Sequence, residues 1–170
     1  MEEKEITTGF VNDQLNNNAH KRIIIVSNRL PVKLSIKTDD IQFRTSEGGL
    51  ATGLSSIYKE KNNVWIGWPG AFEEEENIRR QITKKLHDQN LLPVYLTETE
   101  INEYYEGFSN ETLWPLYHYV PSYTHYRYED WETYKKVNQK FADTIIATAQ
   151  PGDTIWIHDY QLSLVPEMVR

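Results

Sequence analysis

The sequence predicts an α/β fold built on a mostly parallel sheet. Short runs rich in β-branched residues alternate with longer amphipathic stretches of helical period. The first run, Ile23–Val26, is apolar at every position, as expected of a strand buried on both faces of a parallel sheet. Turn-forming clusters at Gly48-Gly49, Trp68-Pro69-Gly70 and Gln150-Pro151-Gly152 punctuate the alternation.

Taken in order, residues 1–20 are polar and acidic without helical or strand period, and read as a flexible leader. The ordered domain is expected over residues 21–170. Its first strand, Ile23–Val26, closes at Ser27-Asn28. Val32–Lys37 and Ile41–Thr45 alternate apolar and polar residues about Asp39-Asp40, a half-exposed hairpin inserted into the sheet. Gly48-Gly49 opens a helix from Leu50 to about Lys59, with Leu50, Leu54, Ile57 and Tyr58 on one face. Val64–Gly67 is the next strand. The acidic run Glu73–Glu76 suits the positive end of a helix that carries Ile78, Ile82 and Leu86 and lasts to about Asp88. Leu92–Leu96 is a further strand. Thr97 and Thr99 each offer an N-cap for a helix to about Glu106. Trp131–Ala149, with Val137, Phe141, Ile145 and Ala149 spaced by four, is the longest helix. Asp153–His158 reads as a second fully buried strand. Leu162–Arg170 starts a helix whose apolar side, Val165, Met168 and Val169, has nothing after it to cover. The chain is therefore expected to be the front part of something longer.

Composition narrows the chemistry. The chain has 170 residues, 18 Lys plus Arg against 25 Asp plus Glu, and no cysteine. That length suggests one domain, large enough to need no disulfide or metal staple. Without a thiol there are no disulfides, thiolate zinc sites, iron–sulfur clusters or cysteine nucleophiles. A net charge of −7 and a pI near 5.3 argue against a nucleic-acid partner. No apolar stretch approaches the roughly 20 residues of a membrane span, and no basic and apolar secretory leader opens the chain. A soluble, cytoplasmic protein without membrane partners is expected.

In an open α/β sheet, ligands bind where the strands end and the loops begin. Four loops qualify. In Ser27-Asn28-Arg29-Leu30-Pro31, Arg29 suits a phosphate or carboxylate through its planar fork, or else forms an ordinary surface ion pair. Glu47-Gly48-Gly49-Leu50 lets the backbone approach an anion at a helix start, or is simply a turn. More than half of the aromatic residues fall between Tyr104 and Tyr134, including Tyr105, Trp114, Tyr117, Tyr119 and Trp131. They can build a sugar-stacking wall or pack as core. In His158-Asp159-Tyr160-Gln161, Asp159 can accept from sugar hydroxyls or handle a proton, while His158 has the alternative of a partly buried structural role. No HExxH metal pair and no G-x-S-x-G elbow is present.

These loops, in this order, resemble the amino-terminal portion of the trehalose-6-phosphate synthases. The resemblance rests on IIIVSNRLPV (23–32), EGGLATGL (47–54), WIGWPG (65–70), YYEGFSNETLWPLYHY (104–119), the W-x-x-Y-x-x-VN-x-x-FAD pattern (131–143) and GDTIWIHDYQLSLVPEMVR (152–170). It implies a Rossmann-like domain of a two-domain glycosyltransferase-B fold, cut off before the carboxy-terminal nucleotide-sugar domain. It further implies transfer of glucose from UDP-glucose to glucose 6-phosphate, with retention and with neither metal nor cofactor. Carried over by motif, Arg29 grips the acceptor phosphate, and Tyr105, Trp114 and Trp68 shape the acceptor pocket. Gly48 and Gly49 pass close to the UDP-glucose donor, and Asp159 holds a sugar hydroxyl at the catalytic centre. The second domain, which supplies cations for the UDP phosphates, is the missing partner, so the fragment alone is expected to be inactive. Oligomerisation stays open. Two alternatives share the pocket: another retaining glucosyltransferase with a phosphorylated acceptor, of glucosylglycerol-phosphate or sucrose-phosphate type, and a non-catalytic sugar-phosphate-binding regulatory subunit.

Overall fold

A computed structural model of the chain describes residues 22–37, 40–46, 48–58, 60, 62–70 and 75–170. The polar leader, Asp39, Glu47 and part of the acidic run at Glu73–Glu76 lie outside them. Its central element is a four-stranded parallel sheet in the order β5-β4-β1-β6. The strands are β1 (Ile23–Arg29), β4 (Val64–Trp68), β5 (Leu91–Pro93) and β6 (Thr154–Ile157). β2 (Val32–Lys37) and β3 (Asp40–Thr45) form a separate antiparallel hairpin, as the alternating pattern predicts.

β1 shows why an unbroken apolar run means burial on both faces. Side chains alternate across a strand. Ile24 and Val26 therefore join Val64, Ile66, Val137, Phe141 and Ile145 on one face, while Ile25 joins Trp65, Ile82, Leu86 and Leu91 on the other. The first face is covered by the long helix Tyr128–Thr148 and the second by the helix Glu76–His87. β6 departs from expectation. Ile155 and Ile157 pack on the first face, but Trp156 is 40 % exposed. It pairs only with β1, at one edge of the described sheet, and its second face is left uncovered.

Three helices also differ from their predicted extents. The helix expected over 50–59 is two short pieces, Gly49–Gly53 and Ser55–Tyr58, because Gly53 is a poor helix former. The helix capped at Thr97 does not stop near Glu106. Thr97 and Glu100 form a reciprocal capping box, and the chain then runs through a π-helical stretch, Ile101–Leu113, into a last α-turn, Trp114–Tyr117. Gly107 is a contact point there: a Cβ on it would collide with Oδ2 of the buried Asp130. The final helix is only Val165–Met168, preceded by a 3-10 turn at Tyr160–Leu162. Pro166 lacks the N–H that a longer upstream helix would require.

Tyr104 and Tyr134 are core, whereas Tyr117, Tyr119, Tyr123, Tyr126 and Tyr128 are exposed. No helix among the described residues is long and apolar enough to cross a membrane.

Candidate functional site

The loops following β1 and β6 meet beside the Gly48 turn and enclose a cavity of about 260 Å³. Arg29, Tyr105, Gly48, Asp159 and Gln161 line it. Arg29 is its cationic lining residue.

A bulge delivers Arg29 to this place. Val26 pairs with Ile66 and Arg29 with Trp68, so β1 spends one more residue than β4 over the same interval. Bulges of this kind redirect a side chain and recur beside functional sites. Every part of it is tied down. The Trp65 indole N–H donates to Ser27 Oγ (2.8 Å), whose hydroxyl donates to the Arg29 carbonyl (2.7 Å). The Leu30 N–H donates to the Trp68 carbonyl at 2.8 Å. The buried Tyr104 hydroxyl donates to Asn28 Oδ1 at 2.9 Å. Burial holds the Tyr104 pKa well above the ordinary tyrosine value, so that hydroxyl remains a donor.

The Arg29 side chain lies over two rings, its Cζ 4.6 Å from the Trp68 centroid and 5.7 Å from that of Tyr105. Stacking holds the guanidinium without neutralising it. Among the described residues it has no carboxylate partner, so no ion pair with them takes the place of a ligand. Trp68 is 3 % exposed and lies beneath the guanidinium rather than on the cavity wall. Trp114 is not a lining residue either. It is 48 % exposed and stands 5.8 Å from Tyr160, which in turn donates to Asn110 Oδ1 at 3.1 Å.

Gly48 and Gly49 are not demanded by packing within the chain. A Cβ at Gly48 would come no closer than 3.8 Å to Ser46 Oγ, and one at Gly49 would meet nothing within 4 Å. Gly48 has φ −80, open to any residue. Among the described residues, no side chain claims the space beside this backbone more closely than Ser46.

Asp159 carries the least favourable backbone of the site, at φ 75 and ψ 147, a region essentially reserved for glycine. Burial raises its carboxyl above the usual Asp range, while His158 and the Asn28 N–H pull the other way. Such a conformation costs about 1–3 kcal/mol in a non-glycine residue. D159G and D159A both remove the carboxylate, but only alanine keeps the strain. D159G is expected to be the more stable in urea unfolding, by about 1 kcal/mol after allowing for glycine's greater unfolded-state freedom. Equal stabilities would mean that the strain is relieved elsewhere.

His158 is held neutral-leaning by burial, and its Nε2 is buried without a partner among the described residues. It lies off the cavity wall. Sequence reasoning assigned no role to Gln161, Asn28 or Ser46, all of which line the cavity. Gln161 stands two residues after Asp159, and an amide has no diagnostic spacing by which to find it. No cluster of three metal-ligating side chains occurs among the described residues.

Residues 21–170 match the family model for glycosyltransferase family 20. The alpha,alpha-trehalose-phosphate synthase [UDP-forming] of Emericella nidulans is 41 % identical over 150 residues, covering 88 % of this chain and 30 % of the relative. Among solved structures, the UDP-forming synthase of Burkholderia xenovorans in complex with glucose-6-phosphate aligns with TM-score 0.63 and 30 % identity, over 88 % of this chain and 30 % of that one. An E. coli structure bound with UDP-2-fluoro glucose aligns with TM-score 0.63 and 28 % identity, over the same shares. The chain spans less than a third of the length of the curated relatives it matches. Its parallel sheet with one antiparallel hairpin corresponds to part of their glycosyltransferase-B fold. Fold and family model agree across the whole described region, and the chain belongs to glycosyltransferase family 20, that of the trehalose-6-phosphate synthases.

Proposed function

We propose that this chain is the acceptor-side domain of a retaining glucosyltransferase that moves glucose from UDP-glucose to glucose 6-phosphate, giving trehalose 6-phosphate and UDP. The observation that supports this most is Arg29, a guanidinium stacked on Trp68 and Tyr105 with no carboxylate partner among the described residues, on the wall of a cavity that Asp159 also lines.

In this reading Arg29 takes the acceptor's phosphoryl group through two parallel N–H···O bonds. The phosphate is remote from the bond being made, so the energy of gripping it serves to orient the attacking hydroxyl. Asp159 accepts a hydrogen bond from a hydroxyl of the reacting pair. Gly48 and Gly49 admit the donor against bare backbone. With one cation on its wall among the described residues, the cavity can serve the acceptor phosphate but not also the UDP diphosphate. Stabilising charge that develops in the transition state commonly lowers the barrier more than any other single effect. The diphosphate's cations therefore belong to a second domain of the complete enzyme, and this chain alone turns nothing over.

Calorimetric titration of the chain checks the reading. Glucose 6-phosphate is expected to bind at least about tenfold more tightly than glucose, since one charge-assisted bond contributes about 1.5–3 kcal/mol. No UDP should be released from UDP-glucose. Equal affinity for glucose and glucose 6-phosphate would overturn the proposal.

A further inference from the structure

Four buried side-chain polar atoms have no hydrogen-bond partner among the described residues: Ser109 Oγ, Thr124 Oγ1, His158 Nε2 and Gln161 Oε1. Of these residues, Gln161 lines the cavity. It is 8 % exposed, so little of its amide is satisfied by bulk water.

Its position is no accident of a loose loop. The Gln161 carbonyl accepts from Asn138 Nδ2 at 3.0 Å. Asn138 is fully buried, donates also to the Tyr134 carbonyl at 2.9 Å, and accepts from the Leu164 N–H at 3.2 Å. The next residue, Leu162, is buried in the core. The backbone of Gln161 is thus pinned by a buried amide on the long helix, while its side-chain acceptor Oε1 has no partner among the described residues. A protein does not normally leave a buried polar atom unpaired, because the lost hydration is not recovered.

We propose that Gln161 is a specificity-determining residue whose amide binds a hydroxyl of a hexose in this cavity. A hydroxyl both donates and accepts, so it satisfies a carboxamide whichever end faces it. An ion would satisfy only one end. Asp159 and Gln161, two residues apart on one loop, then offer two groups to the ring, and an analogue lacking the bound hydroxyl leaves a buried amide unmatched. This inference rests on the hexose reading given above and extends it to a residue outside the Arg29 clamp. The hexose can be that of glucose 6-phosphate or that of UDP-glucose.

The test is Q161M, which keeps the length of the side chain and removes its polar end. The parent chain and the variant are titrated with glucose 6-phosphate, UDP-glucose, inorganic phosphate and the monodeoxy analogues of glucose 6-phosphate. Q161M is expected to lose about tenfold in affinity for one of the two hexose ligands, which identifies the source of the hydroxyl, and none for inorganic phosphate. If the source is glucose 6-phosphate, one deoxy analogue binds the parent about tenfold more weakly and loses nothing further in Q161M. The melting temperature of Q161M is expected to equal or exceed that of the parent, because an unmatched buried acceptor has been removed. Unchanged affinity for both hexose ligands, or an equal loss for inorganic phosphate, would overturn the role of Gln161 while leaving the proposed function standing. A parent chain that binds neither hexose ligand would overturn both.

Discussion

R29A is expected to weaken binding of glucose 6-phosphate by roughly a hundredfold while the chain stays folded. Two charge-assisted hydrogen bonds are lost, at about 1.5–3 kcal/mol each. A loss of about 3 kcal/mol corresponds to that factor, at about 1.4 kcal/mol per tenfold. Stability should change little, because Arg29 is exposed, and its stacking on Trp68 and Tyr105 is worth only about 0.5–1 kcal/mol. R29K should fall between the two. It keeps the charge but loses the planar fork and the flat stacking that fix its direction. Titration of the three proteins with glucose 6-phosphate decides the matter, and R29A binding as tightly as the parent would remove the phosphate clamp.

G67A should produce the larger loss of stability. A methyl group on Gly67 would lie 2.8 Å from the Leu30 nitrogen, 2.9 Å from the Arg29 carbonyl carbon and 3.0 Å from the Ser27 oxygen. All three are backbone atoms of the bulged end of β1, so no side chain can swing aside. Overpacking costs about 1–3 kcal/mol where side chains can adjust. Here about 3 kcal/mol is expected, a fall of roughly 6–12 °C in melting temperature for a domain of this size. The displaced strand end carries Arg29, so affinity for glucose 6-phosphate should fall with it. G53A is the control, since a methyl there meets nothing within 4 Å. A melting temperature for G67A equal to that of the parent would show that the two strands can separate without penalty.

Much of this arrangement is legible in the sequence, and the rest is hidden for identifiable reasons. Ile23–Val26 announces a doubly covered strand because both faces of a parallel sheet are apolar. The hairpin follows from strict alternation, whereas the choice of Thr97 over Thr99 as N-cap emerges only with its reciprocal bond to Glu100. Edge position has no local signature, which is why β6 resembles a central strand until its neighbours are known. The continuation past Glu106 is hidden because the reason for Gly107, close approach of Asp130, needs the second helix in view. At the site, Arg29 and Asp159 are recognisable as residues at strand ends. That Trp68 lies under Arg29, that Trp114 stands off the cavity wall beside Tyr160, and that Gln161 lines the cavity all depend on contacts between segments distant in sequence.

The extra residue in β1 has an evolutionary corollary. Up to Val26 the strand keeps step with β4, and beyond it the two are out of phase by one. Arg29 stands opposite Trp68 only because the bulge absorbs the extra residue, so removing a single residue from Ser27-Asn28 would straighten the strand and leave the arginine facing Trp68 without the kinked loop around it. Substitutions around Arg29 can tune its surroundings gradually, but the extra residue that shapes the loop can be gained or lost only by an insertion or a deletion.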